Sequence, residues 1–301
     1  MGTKIDATVV RVVDGDTVRV SSDVLEKEES LRILALDTEE SNAGGSKPLT
    51  PFGLKAKERA EEFFSPGDQV VLEFPGDEEV SVALQRYRGN FGRLLVYIHK
   101  EGVDFQETMI REGFSPYFTK YGNATLHHDR YRCAEREAQE NFLGVWDQIG
   151  VNGSEVRNYA ALSTWWHLRA SVIDGYRGIR AAGQEDLLNS RLDFEEIRQR
   201  AETGDTVTVF TALERITRVG QRHALVRIGS IHQPFNLFLR DIESNEATQK
   251  VLHLLNQRYI SGGESHPRRS YAYVHGQLKL FQDNPEIEIG STSQVTDEFP
   301  A

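Results

Sequence analysis

Three short runs in this chain carry residue types able to cleave a phosphate ester. They are Asp14-Gly15-Asp16-Thr17, then Arg32 followed by Asp37-Thr38-Glu39-Glu40, then Gly92-Arg93. A phosphodiester shields its phosphorus behind negative oxygens. A divalent cation neutralises that charge, polarises the phosphoryl group and orients or activates water. Hard cations take oxygen ligands, which paired carboxylates with a backbone carbonyl provide. Arginine forks suit the charge that builds on the equatorial oxygens, and a further carboxylate can handle the attacking water. Asp16, Asp37, Arg32, Glu40 and Arg93 supply these parts. Each run alone also has a plainer reading. Asp-Gly-Asp makes an ordinary turn, Arg32 an edge or salt-bridge residue, Glu39-Glu40 a solvated loop and Gly92-Arg93 a hairpin turn. Their order and spacing, taken together, favour the chemistry.

The elements that must position these residues are small and β-rich. The runs 8–13 and 17–20 are β-branched and joined by an Asp/Gly turn, which predicts a hairpin. Residues 31–36, 69–74 and 93–99 read as three more strands, and 54–64, 105–111 and 126–142 as helices. Five strands with interleaved helices predict a small barrel of the oligonucleotide-binding type.

With those residues in place, the stretch from about Thr8 to Trp146 resembles the staphylococcal nuclease-like family. The matching runs are Val-Asp-Gly-Asp-Thr-Val at 13–18, Leu-Arg-Ile-Leu-Ala-Leu-Asp-Thr at 31–38 and Gly-Arg-Leu-Leu-Val-Tyr at 92–97. Two more are Val-Asp-Phe-Gln-Glu-Thr-Met-Ile-Arg-Glu-Gly at 103–113 and a last helix leading to Gly144-Val145-Trp146. The resemblance implies a calcium-dependent nuclease in which Asp16, Asp37 and the Thr38 carbonyl bind the metal. It implies that Arg32 and Arg93 clamp the phosphate and that Glu40 handles water. An oxygen-rich site of this kind also accepts manganese or magnesium. Nucleotide contacts would fall on Phe91, Tyr117 and Tyr121. Asp14 is expected to shape the turn. The sequence departs from the family where Glu39 replaces a usual proline, and Glu39 is a fallback for the role of Glu40 because the loop that follows differs in length and content. It departs again in the Gly-rich loop at 41–51, and at Asn90-Phe91, where the family often has a basic residue and a tyrosine.

The rest of the chain predicts a helical connector at 151–202, a second β-rich unit at 203–295 and a loose acidic tail at 296–301. The expected class is mixed α+β, mainly β: two five-stranded barrels of the oligonucleotide-binding type, the first (1–150) with added helices. The second barrel carries ten basic and nine acidic residues, a net of +1 in a chain whose total is −11. Arg215, Arg218, Arg222, Arg268 and Arg269 are its phosphate candidates, and Phe235, Phe238, Tyr271, Tyr273 and Phe281 its stacking candidates, as in single-strand binders. Of the adjacent Trp165 and Trp166, one is expected to pack between domains. The His127-His128 pair reads as a solvated helix start, because adjacent helical residues diverge.

The expected partner is nucleic acid, DNA or RNA and preferably single-stranded. A non-catalytic nucleic-acid-binding scaffold is the alternative, disfavoured because both aspartates and both arginines are present. The net charge of −11 argues against non-specific binding by the chain as a whole. No run is apolar enough to span a bilayer, the start lacks the apolar core of a secretory signal, and the one cysteine, Cys133, reads as a half-buried helix residue. A cytoplasmic setting with no membrane partner fits these features.

Overall fold

Alternation of buried and exposed side chains along β1 (Lys4–Asp14) sets the first sheet. In the computed structural model, which describes residues 1–42, 49–147, 157–184, 186–264 and 266–300, β1 pairs antiparallel with β2 (Thr17–Ser21) across the Asp-Gly-Asp turn. On its other side β1 pairs with β4 (Gln69–Glu73), in register Lys4 to Glu73. β3 (Glu29–Ile33) lies antiparallel to β2, and β5 (Leu94–Lys100) antiparallel to β4. β3 also pairs parallel with β5, Arg32 opposite Leu95, and this contact closes a five-stranded barrel. Closure removes the unpaired strand edges that an open sheet would present. Val18, Val20, Leu31, Leu72, Leu94, Val96 and Ile98 point inward and are fully buried.

Helices cover the barrel. α1 (Pro51–Phe63) starts at Thr50, whose Oγ1 accepts the Gly53 amide at 2.9 Å, with proline at the first helical position, where no donor is needed. α2 (Val80–Arg86) follows β4, a helix that the sequence pattern does not announce. α3 (Phe105–Arg111) follows the short β6 (Val103–Asp104) and is capped by Asp104, which accepts the Glu107 amide at 3.0 Å. α4 (His128–Glu140) buries Tyr131, Ala134, Glu135 and Ala138. Cys133 faces out from it and is exposed, not half-buried, since its position falls off that buried stripe.

Glu135 sits on the buried face of α4 and accepts the Tyr117 amide at 2.9 Å. Burial pushes its carboxyl up to about 7, the Tyr117 bond opposing this only in part. Between about pH 4.5 and 7 the folded chain therefore binds more protons than the unfolded chain, so stability falls as pH rises through this window. A shift of that size corresponds to about 3 kcal/mol once both states are ionised. Glu135→Gln keeps the acceptor and removes the charge. The variant should lose this pH dependence and be the more stable protein at pH 8, by about 2–3 kcal/mol. Urea melts at pH 5 and pH 8 check this, and equal pH slopes for the two proteins would refute it.

The chain divides into two compact units, one of Met1–Gly89 with Arg93–His167, the other of Asn90–Gly92 with Leu168–Ala301. The boundary expected at 150 falls outside the described residues. α5 (Tyr159–Ala181) contributes to both units. In the first unit its Trp166 is buried and packs edge-on against Phe118 at 5.0 Å. The stretch that reads as a helical connector also holds a strand, β7 (Leu187–Asn189), which pairs parallel with β8 (Thr206–Ala212), before α6 (Phe194–Thr203). Three residues are too few to carry a readable period, so this strand is invisible in the sequence.

The second unit adds β9 (Ile216–Val219), β10 (His223–Arg227), β11 (Asn236–Leu239), α7 (Glu246–Leu254) with a π-helical turn, β12 (Tyr271–Phe281), β13 (Asn284–Glu288) and β14 (Val295–Thr296). Its strand order is β7-β8-β12-β13-β11-β10-β9, with β14 beside β12. No pairing among the described residues joins β9 back to β7, so the path runs open where a five-stranded closure was expected. β12 runs unbroken over eleven residues. The tail expected to be loose is anchored: the Asp297 carboxylate accepts bonds from Arg258 and Tyr259, and its carbonyl accepts one from Arg269. Among the described residues no helix is long and apolar enough to cross a membrane.

Candidate active site

The turn between β1 and β2 delivers Asp16, the strand β3 delivers Arg32, and the loop after β3 delivers Asp37. Arg32 bridges the two carboxylates: Nη1 donates to Asp16 Oδ2, and Nη2 to Asp37 Oδ1 at 3.0 Å and to the Leu36 carbonyl at 3.1 Å. Both aspartates are buried, and the Arg32 side chain is 14% exposed. Burial alone would lower the Arg32 pKa. The charges of Asp16 and Asp37 outweigh it and hold the guanidinium firmly protonated.

Backbone geometry fixes these positions. The Asp16 carbonyl accepts the Ile33 amide at 3.2 Å, tying the turn to β3. Ala35 then turns the chain out of the strand in a left-handed conformation, φ 64°, which non-glycine residues adopt rarely. Its carbonyl accepts the Phe118 amide at 2.9 Å, and the Asp37 amide donates to buried Ser115 Oγ at 2.9 Å. Gly15 is required at the turn: a Cβ there would lie 2.9 Å from the Thr38 side chain. Asp14 accepts the Gly15 amide at 2.8 Å and reaches Ser41 and Asn42, a shaping role as expected from the sequence.

The two adjacent glutamates part company. Glu39 is 2% exposed and fully engaged, accepting Thr50 Oγ1 at 2.5 Å and the Tyr159 hydroxyl at 2.9 Å. Glu40 is half-buried. Its carbonyl accepts the Thr50 amide at 3.1 Å, and a Cβ on Gly53 would meet that carbonyl at 2.2 Å, so the first turn of α1 can close on Glu40 only with glycine there. Of the loop that departs from the family pattern, residues 43–48 lie outside the described residues.

Arg93, half-buried before β5, directs Nη1 at Thr17 Oγ1 at 3.5 Å, and Thr17 in turn donates to Asp16 at 2.8 Å. Arg93 thus reaches the same turn from the opposite strand. Sequence reasoning does not find Arg157. Its guanidinium donates to Asp37 Oδ2 at 2.6 Å, is 6% exposed, and lies over the rings of Tyr159 and Trp166. Tyr159, its pKa raised by burial, donates to Glu39. No local signal marks Arg157, which lies 120 residues from its partner.

The donor set fits a hard divalent cation. Asp16 and Asp37 offer carboxylate oxygens within the span of one guanidinium, and the neighbouring Thr38 has a buried hydroxyl with no hydrogen-bond partner. The donors named here are all oxygens.

The nucleotide-contact candidates are distributed differently from expectation. Phe91 is 76% exposed. Tyr121 is partly buried, with Lys120 over its ring at 5.6 Å. Tyr117 is 2% exposed, its hydroxyl bonded to His128 and to the Ala124 amide, so it has no face to offer a base. In the second unit Arg215, Arg218 and Arg222 are exposed, Arg222 pairing with Asp241 at 3.1 Å. Arg268 and Arg269 are half-buried, and Arg269 donates to the Asp297 carbonyl at 2.6 Å, which directs it inward. Phe235, Tyr271 and Tyr273 are core residues, whereas Phe281 is 57% exposed.

A closed five-stranded barrel that gathers two carboxylates and two arginines around one turn is the class of protein these observations define. Residues 30–148 match the family model described as staphylococcal nuclease homologue, and the chain belongs to the staphylococcal nuclease-like family. Asp16 precedes the matched segment. The chain is 31% identical over 146 residues to "Endonuclease YncB" of Bacillus subtilis (strain 168), covering 48% of this chain and 64% of that protein. It is also 31% identical over 146 residues to "SPbeta prophage-derived endonuclease YokF" of the same organism, covering 48% and 45%. To "Thermonuclease" of Staphylococcus hyicus it is 27% identical over 138 residues, covering 46% and 73%. The chain thus spans less than two thirds of the first two relatives, and all three alignments take in less than half of this chain.

Proposed function

We propose that this chain is a metal-dependent nuclease that hydrolyses phosphodiester bonds of DNA or RNA, with Asp16, Asp37 and the Thr38 carbonyl as metal ligands. The observation that carries the reading is the Asp16–Arg32–Asp37 bridge, with Arg93 reaching the same turn through Thr17. A calcium ion, when bound, supplies charge neutralisation at the phosphate and a Lewis-acid centre; manganese and magnesium are alternatives. Arg32 and Arg93 hold the charge that develops on the phosphoryl oxygens. Glu40 orients the attacking water or takes its proton. Glu39 is occupied by Thr50 and Tyr159, which favours Glu40 for that role. The relatives named as nucleases support the reading. Labelled single- and double-stranded DNA and RNA, digested with calcium, magnesium, manganese or chelator, test it. Cleavage is expected with a divalent ion, fastest on single strands, and full activity in excess chelator would overturn the metal role.

The second unit, in this reading, holds substrate. Its exposed Arg218 and Arg222 meet phosphates, and Phe91 and Phe281 offer open rings for stacking. In an Asp16→Asn background that blocks cleavage, Arg218→Gln with Arg222→Gln should weaken binding of a long single strand. The dependence of log K on log salt should flatten by about 0.7 for each phosphate that the protein no longer neutralises. Unchanged affinity and slope in the double variant would remove these two residues from the interface.

A further inference from the structure

Two histidines and a glutamate converge at a second place in the barrel that the proposed chemistry leaves unused. Glu73 ends β4, His99 lies on β5, and His127 is the N-cap residue of α4. Glu73 Oε2 lies 3.0 Å from His99 Nε2 and 2.9 Å from His127 Nε2. One ligand atom from each of the three residues lies within 4.8 Å of the others. The Glu73 side chain is 4% exposed, His99 15% and His127 13%, so the carboxylate is enclosed while the imidazoles remain within reach of solvent. The rings are held in place: Tyr97 meets His127 edge-on at 4.8 Å, and the two imidazoles lie 5.7 Å apart.

We propose that Glu73, His99 and His127 form a site for a zinc-class divalent transition metal. Two imidazoles and one carboxylate make the nitrogen-and-oxygen set that such ions select, in contrast to the oxygen donors around Asp16. With metal–ligand bonds of about 2.0–2.1 Å, the edges of a tetrahedron are about 3.3 Å. Two of the three ligand separations, 2.9 and 3.0 Å, need open by a few tenths of an ångström, and the third, between the imidazole nitrogens and no longer than 4.8 Å, closes toward the same value. Binding shifts each imidazole to the tautomer protonated at Nδ1, and water takes the fourth position. Lys4 Nζ, 3.5 Å from Glu73 Oε1, is 48% exposed and has room to move aside.

The site is distinct from the first. Lys4, opposite Glu73, opens β1, and Asp14 closes it, so about 30 Å of strand separates the two ends. The metal would fasten β4 and β5 to the start of α4, where His127 makes no side-chain capping bond. The competing account is a buried carboxylate satisfied by two imidazole donors, with no affinity for metal.

Zinc titration of the chelator-stripped full chain, with Asp16→Asn and Asp37→Asn to disable the first centre, decides between them. One equivalent should bind, and Tm should rise by about 5–10 °C at a hundredfold excess over Kd. His99→Gln and His127→Gln should each weaken binding at least tenfold. The unmutated chain gives a second readout: zinc should protect His99 and His127 from diethyl pyrocarbonate, read by peptide mass spectrometry. No stoichiometric uptake, undiminished uptake by both histidine variants, or unprotected histidines in the zinc-loaded chain would overturn the site.

Discussion

Replacing Asp16 and Asp37 together by asparagine is expected to abolish turnover while the barrel persists. An amide keeps the shape and one acceptor oxygen, so the Thr17 hydroxyl bond to Asp16 can survive. The charge that a hard cation requires disappears. The same substitution strands Arg32, which the two carboxylates now bracket in a site 14% exposed. Removing the partners of a buried charge typically costs about 3–5 kcal/mol. Melting temperature should therefore drop alongside activity, and the two effects must be read separately. Circular dichroism below the transition establishes the fold, and the digestion rate is then measured on the folded fraction. A folded double variant that digests labelled DNA at the parent rate would remove both aspartates from the chemistry.

Lysine in place of Arg93 is expected to lower kcat on the order of 100- to 1000-fold with little change in KM. An ammonium keeps the charge but lacks the planar fork that can hold two phosphoryl oxygens at once. Arg93 is the cleaner of the two arginines to test, because its contact at 3.5 Å to Thr17 is marginal and little structure depends on it. Arg32→Lys should lose at least as much, but it also replaces the planar fork that spans Asp16 and Asp37 with a single ammonium nitrogen. Its KM, metal requirement and stability should all move. Steady-state kinetics of both variants at saturating metal separate the cases. Near-normal kcat in Arg93→Lys would reject a bidentate clamp at that position.

The first barrel is legible in the sequence because its signals are local. Alternating β-branched residues on either side of Asp14-Gly15-Asp16 specify a hairpin without reference to the rest of the chain, and β1 and β2 form there. The expected helix at 105–111 coincides with α3, since Asp104 caps it from an adjacent position. Asp16, Arg32 and Asp37 stand out in the sequence as candidates by residue type, order and spacing, and a turn or strand a few residues away places each of them.

What the tertiary structure decided lies in contacts between distant segments, which no local pattern encodes. Arg157 reaches Asp37 across 120 residues of chain, and Glu39 is engaged by Thr50 and Tyr159. Tyr117 reads as an available aromatic in the sequence, yet the Glu135 carboxylate and His128 hold it in the core. His127 reads in the sequence as half of a solvated pair with His128, whereas its partners are Glu73 and His99, which meet it only when α4 packs on the barrel. In the second unit the strand residues are visible as β-branched runs, but the order β7-β8-β12-β13-β11-β10-β9 is not. Strand pairing depends on which edges remain open after the chain has folded, and that is a property of the whole sheet.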